Sequence, residues 1–216
     1  MPNVAIILSG CGVYDGTEIN EAVLTLLELE RNSISYQTFA PDMMQAHTIN
    51  HAKGEATQET RNVLVESNRI TRSETSALED LDVSMFDALV FVGGFGAAKN
   101  LSNFAFDQPH YQAIPQVNEV IQTCHSQNKW IVALCIAPVL LAASLPNIKV
   151  TIGNDQEIAR LLESKGHAHV ECKTDSFVVD VTNQLITTPA YMTGQSIKEV
   201  HAGIQATIQH LGTKIS

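Results

Sequence analysis

Three short apolar runs, each cut off by glycine or cysteine, restrict what this chain can fold into. Val4-Ala5-Ile6-Ile7-Leu8 stops at Ser9-Gly10-Cys11-Gly12, Ala88-Leu89-Val90-Phe91-Val92 stops at Gly93-Gly94, and Trp130-Ile131-Val132-Ala133-Leu134 stops at Cys135. A run with no polar alternation reads as a strand buried on both faces, the habit of parallel strands. Helical periodicity fills the intervals. Residues 18–31 place Ile19, Ala22, Val23, Leu26, Leu27 and Leu29 mostly on one face. Asp15 followed by Glu18 fits a capping box before that helix.

Further strands are expected at residues 34–39, 149–152, 177–180 and 185–188, the last two around a turn at Asn183. Helices are expected at 60–70, 111–127, 138–143, 155–165 and 196–211, and a polar loop at 51–59. Strands alternating with helices define an α/β domain with a mostly parallel sheet covered on both faces. The 216 residues read as one domain, 1–216. Ligands of such sheets bind beyond the carboxyl ends of the strands, where the three interrupted runs end.

Charge excludes several partners. Thirteen basic against 23 acidic residues give a net charge of -10, with no basic stripe for nucleic acid. No apolar run approaches the ~20 residues that span a bilayer, and the first residues lack the pattern of a secretion signal. Cys11, Cys124, Cys135 and Cys172 form no CxxC pair and no zinc pattern, so four reduced thiols in the cytoplasm are expected. The eight histidines show no HxxxH or HExxH spacing, and His167 and His169 are read as surface residues, so neither metal nor other cofactor is expected.

Cys135 ends an apolar strand just before Pro138 opens a helix. Strand-turn-helix is the geometry of a nucleophile elbow. The helix N-terminus supplies unpaired N–H groups and a positive dipole end, which favour thiolate over thiol. Cys124 and Cys172 read as structural, and Cys11 as a residue lining the same cleft beside Gly12. Gly93-Gly94-Phe95-Gly96 can turn sharply and expose N–H groups for an oxyanion. Glu18 and Glu21, in the first turns of the first helix, can reach over the sheet end, and a carboxyl beside a thiolate resists ionisation. Capping alone accounts for Glu18. Gly10-x-Gly12-x-x-x-Gly16 with Asp42 is a poor variant of a dinucleotide-binding turn.

Several blocks resemble the ElbB glyoxalase-like proteins of the PfpI-like, class I glutamine amidotransferase-like superfamily. They are Ser9-Gly10-Cys11-Gly12-Val13-Tyr14-Asp15-Gly16-Thr17-Glu18, Phe39-Ala40-Pro41-Asp42, Thr60-Arg61-Asn62-Val63-Leu64, and Gly93-Gly94-Phe95-Gly96-Ala97-Ala98-Lys99-Asn100-Leu101-Ser102. Cys135-Ile136-Ala137-Pro138 and Thr187-Thr188-Pro189-Ala190-Tyr191-Met192 complete the set, in the family's order. The resemblance implies a flavodoxin-like three-layer sandwich, a homodimer, a reactive Cys135 and an acidic partner on the first helix, either Glu21 or Glu18. It implies Gly93, Gly94 and Ile136 around the oxyanion, and Cys11, Gly12 and Asn100 along the cleft. Many relatives carry a histidine after the cysteine or near the segment at Gly153-Asn154; here Ile136 follows Cys135, so a Cys-His-Glu hydrolase is not expected. The ElbB type shares this lack and is associated with weak, cofactor-free glyoxalase activity on a small dicarbonyl, and with an isoprenoid-biosynthesis label that no residue here explains. Redox sensing by the same cysteine and repair of glycated amines are the alternatives.

Overall fold

The structure, a computed structural model, describes residues 1–215. Its strands are β1 (Asn3–Ile7), β2 (Ser35–Ala40), β3 (Ile49–Asn50), β4 (Glu55–Ala56), β5 (Thr75–Ala77), β6 (Ala88–Phe91), β7 (Trp130–Leu134), β8 (Lys149–Val150), β9 (Ala168–His169), β10 (Val178–Asp180) and β11 (Leu185–Thr188). The helices are α1 (Ile19–Arg31), α2 (Val63–Thr71), α3 (Phe95–Lys99), α4 (Pro115–Ser126), α5 (Pro138–Ser144), α6 (Gln156–Ser164) and α7 (Ile197–Ile215).

Seven strands form the central sheet in the order β10-β11-β7-β6-β1-β2-β5. All neighbours pair in parallel except β10, which forms an antiparallel hairpin with β11. The three apolar runs are the adjacent central strands β1, β6 and β7, and their interior residues are buried on both faces. Helices α1 and α7 pack together, while α5 packs between α3 and α4. The result is the flavodoxin-like three-layer sandwich that the strand and helix alternation leads to.

Four local departures from the sequence reading have simple causes. Glu18 is itself the N-cap of α1: its carboxylate accepts from Glu21 N at 2.7 Å. Asp15 makes no capping box, because its carboxylate accepts from Ile49 N at 2.6 Å across the loop. The polar segment at 51–59 contains one side of a two-stranded hairpin, β3 with β4. The edge strand β5 went unread because Thr75-Ser76-Ala77 carries no apolar run, and only backbone pairing with β2 makes it a strand.

Chain order reverses between β1 and β6. The chain leaves β1 outward through β2 and β5, then returns to β6 on the other side of β1. A crevice opens at such a reversal, beyond the strand ends. The segment after β1 leads into α1, the segment after β6 is Gly93-Gly94, and the residue after β7 is Cys135.

Candidate active site

Cys135 has φ 60°, a left-handed conformation that few non-glycine residues adopt. Its N–H donates to Thr188 O at 2.9 Å, which ties the bend to β11. The next turn closes with Ala137 N donating to Leu134 O at 2.9 Å, and Pro138 then opens α5 at a position where its missing N–H costs nothing. This is the elbow expected from sequence. The strained backbone lifts the sulfur off the end of the sheet into the crevice.

Glu21 is the acid that faces it. The side chain is fully buried, and Oε1 accepts from Tyr191 N at 3.1 Å. Oε2 makes no hydrogen bond of full geometry; the groups it faces are the Cys135 thiol and the Gly93 N–H. Burial pushes the Glu21 carboxyl up to about 8, with the charge of Glu18 adding to the rise and the Tyr191 N–H opposing it. Glu18 lies one turn earlier, spent on its cap, and its carboxyl is raised by burial to a smaller degree. It lines the cavity without facing the sulfur as Glu21 does.

Gly93 separates the two reactive groups. A Cβ built there lies 2.3 Å from both Cys135 Cβ and Glu21 Oε2, and 3.1 Å from the sulfur. Any larger residue drives the pair apart. Gly94 has φ 100° and sits against the backbone of Gly16 and Glu18. The N–H groups of Gly94 and Ile136 donate toward the Cys135 sulfur. Of the three residues expected around an oxyanion, Gly94 and Ile136 point their N–H groups at the sulfur, while the Gly93 N–H faces Glu21.

The protonation of the sulfur differs from the expectation. Burial pushes the Cys135 thiol well up, and the Glu21 charge pushes it further, while the N–H groups of Gly94 and Ile136 only partly offset this. A helix of seven residues and two amide donors do not outweigh removal from water. Both shifts favour the protonated forms, an uncharged acid and a thiol.

The site opens into a cavity of about 360 Å³ lined by Cys135, Ile136, Glu18, Gly94 and Phe95, among others. Cys135 is 8% exposed, enough contact for a small molecule entering that space. Tyr191 and Met192 also line it, together with Asp155 and Ile158 from the start of α6. Sequence reasoning assigned none of these four a role. The signal for Tyr191 was its position just beyond β11, the neighbour of β7. Asp155 and Ile158 come from a helix outside the central strand order and carried no comparable signal.

Three residues expected along the cleft lie elsewhere. Cys11, Gly12 and Asn100 are absent from the cavity wall, to which the segment between β1 and α1 contributes Val13 and Glu18. Asn100 staples that loop: its amide donates to Ser9 O and Asp15 O at 2.9 Å each, and its oxygen accepts from Ala46 N at 2.9 Å. Gly12 packs against the His51 ring, and the charges near Cys11 are those of Glu66, Arg69, Asp15 and Arg61. All four cysteines are free, and among the described residues no histidine lines the Cys135 cavity. No group of His, Cys, Asp and Glu among the described residues has the arrangement of a metal site, and no helix there is long and apolar enough to cross a membrane.

The chain is similar to several known proteins. The human "glutamine amidotransferase-like class 1 domain-containing protein 3, mitochondrial" is 42% identical over 216 residues, covering 95% of this chain and 81% of that protein. The rat "ES1 protein homolog, mitochondrial" is 42% identical with the same coverage. A solved structure of an isoprenoid biosynthesis protein with an amidotransferase-like domain, from Ehrlichia chaffeensis, superposes with a TM-score of 0.93 at 39% identity over 100% of both chains. Schizosaccharomyces pombe DJ-1, at 15% identity and a TM-score of 0.59 over 99% of this chain and 92% of that one, shares the fold. The family model described as "DJ-1/PfpI family" matches residues 11–197, a span that holds the elbow, the acid and the glycine pair, and the chain belongs to that family.

Proposed function

We propose that the chain is a cofactor-independent glyoxalase that converts glyoxal to glycolate. The observation that carries this reading is the thiol of Cys135 and the raised acid of Glu21 held on either side of Gly93, with two N–H donors aimed at the sulfur. As pH rises through about 8 the pair loses one proton, and the remaining carboxylate can take the thiol proton while sulfur adds to one aldehyde. The new S–C bond gives a hemithioacetal, whose oxyanion the Gly94 and Ile136 N–H groups hold until Glu21 returns the proton to it. Glu21 then removes the C–H proton of that carbon, forming an enediol, and delivers it to the neighbouring carbon. The product is a glycolyl thioester. Water cleaves its C–S bond, releasing glycolate and the thiol, with no external oxidant or reductant.

Cys135→Ala is expected to abolish glyoxal turnover. Retained turnover rejects the mechanism. Among the described residues no histidine lines the wall, which argues against glutamine hydrolysis by a Cys-His-Glu arrangement. A second reading is favoured by the same acid and N–H groups, which could hold an oxidised sulfur: peroxide sensing by Cys135. The two separate on rate, since a sensor oxidises in dilute peroxide faster than it turns over glyoxal. The proposal includes a homodimer, and a species of monomer mass in sedimentation velocity rejects it. It also includes a cytoplasmic setting, in which free thiols stay reduced; the human and rat relatives are named mitochondrial, and cell fractionation decides.

A further inference from the structure

Glyoxal is a poor match for the space around Cys135. Val13, Phe95, Phe104, Ile136, Ile158 and Met192 are the large apolar side chains of the wall. The polar side chains there, apart from Cys135, are Glu18, Gln108, Asp155 and Tyr191. Glu18 is engaged by Glu21 N, and Asp155 accepts from Glu157 N at 2.9 Å and Ile158 N at 3.0 Å. Glyoxal has four heavy atoms and no apolar part. At roughly 30 Å³ each it fills about 120 Å³. Most of a 360 Å³ cavity is then left as water against apolar walls.

We propose that the cavity takes 2-oxoaldehydes bearing a neutral apolar substituent, aryl or branched alkyl, in preference to glyoxal. The inference rests on the glyoxalase reading and names its substrate class. The aldehyde sits at Cys135 beneath the Gly94 and Ile136 N–H groups, and the substituent lies along the apolar wall. The second carbonyl has a donor available. Tyr191 Oη accepts from Asn20 Nδ2 at 3.2 Å, which leaves the phenol's own proton for a substrate oxygen. Charge sets a further limit: two carboxyl side chains and, among the described residues, no lysine or arginine line the wall. A substituent carrying carboxylate or phosphate is repelled.

The chemistry balances as for glyoxal. The S–C bond forms at the aldehyde, the C–H proton of that carbon moves to the former ketone carbon, and water cleaves the thioester to a 2-hydroxy acid. That carbon is now a stereocentre, and a cavity that fixes the substituent delivers the proton to one face.

The test compares kcat/KM for glyoxal, phenylglyoxal and 4-carboxyphenylglyoxal, with chiral chromatography of the mandelate formed. Phenylglyoxal is expected to exceed both others by about tenfold or more and to give one enantiomer in excess. Ile158→Asn is expected to lower the phenylglyoxal-to-glyoxal ratio by about tenfold, a ratio that cancels any shared loss of folded protein. Glyoxal used as well as phenylglyoxal, the carboxylated compound used as well as the neutral one, or racemic mandelate each overturns the substrate class while leaving the glyoxalase reading in place. No turnover of any of the three by folded protein overturns both.

Discussion

Gly93→Ala tests whether the spacing of thiol and acid is the working feature of this site. Gly93 lies outside the positive-φ residues, so alanine imposes no backbone strain there and the effect is steric. The added methyl lies 2.3 Å from Cys135 Cβ and 2.3 Å from Glu21 Oε2, against an ordinary carbon contact of about 3.5 Å or more. Each neighbour must retreat by roughly 1 Å. Neither moves cheaply: Cys135 is tied through its N–H to Thr188 O at 2.9 Å, and Glu21 is fully buried with Tyr191 N at 3.1 Å. Overpacking of this kind costs about 1–3 kcal/mol, which for a chain of this size lowers Tm by about 2–12 °C. A displacement near 1 Å between reacting groups costs about 100-fold in rate, far beyond the loss expected from the small unfolded fraction. The assay is glycolate formation from glyoxal well below the new midpoint, with circular dichroism to show the fold intact. A variant with unchanged Tm and kcat/KM within about threefold of the parent refutes the geometry on which the proposed chemistry rests.

Activity should follow Glu21. The kcat/KM for glyoxal is expected to rise with pH to a plateau above about 8, as the buried acid releases its proton, and Glu21→Gln should lose that rise and about 100-fold or more of the rate. Stability should run the opposite way. The Glu21 carboxyl moves from an ordinary 4.5 to about 8 on folding, so the folded chain binds more protons between those values. Its stabilising contribution is full below about 4.5 and is lost as pH rises through about 8; Glu21→Gln removes that loss, and urea titrations across this range should show the variant gaining a few kcal/mol on the parent. Asn100→Ala leaves Ser9 O, Asp15 O and Ala46 N without their partner, at a cost of about 3 kcal/mol, or about 6–12 °C in Tm; an unchanged Tm contradicts the staple.

The central sheet was legible because its strands carry the pattern that burial on both faces imposes. β6 and β7 are apolar throughout and β1 from Val4 onward, and each run stops at residues that can turn. Cys135 was legible for the same reason, since a cysteine between a buried strand and Pro138 has few other places to be. The choice between Glu18 and Glu21 was not, because it depends on where α1 begins. A capping box from Asp15 and a cap from Glu18 differ by one turn of helix, and only the distant Ile49 N, which engages Asp15, decides between them. The cleft assignments failed on a similar point. Cys11, Gly12 and Asn100 are near the strand ends in sequence, but the course of the glycine-containing loop is set by partners far along the chain, such as Ile49 for Asp15 and Asn100 for Ser9. The thiolate expectation counted the amide donors and left out the desolvation, which sequence does not display.

An acid, rather than an imidazole, beside the sulfur suits the surroundings it faces. A thiolate-imidazolium pair places two charges permanently against a wall made of Phe95, Phe104, Ile158 and Met192. A carboxyl raised to about 8 next to a raised thiol favours the uncharged form of both groups. The pair itself therefore adds no charge to a wall that already carries the Glu18 and Asp155 carboxyl groups until, in the proposed chemistry, one proton leaves the pair and sulfur adds to a carbonyl. In that proposed step the negative charge passes to an oxygen bonded to the carbon beside the sulfur, the atom toward which the N–H groups of Gly94 and Ile136 point. Burial that slows ionisation of the free thiol thus strengthens the hydrogen bonds that hold the adduct, because the same low dielectric acts on both.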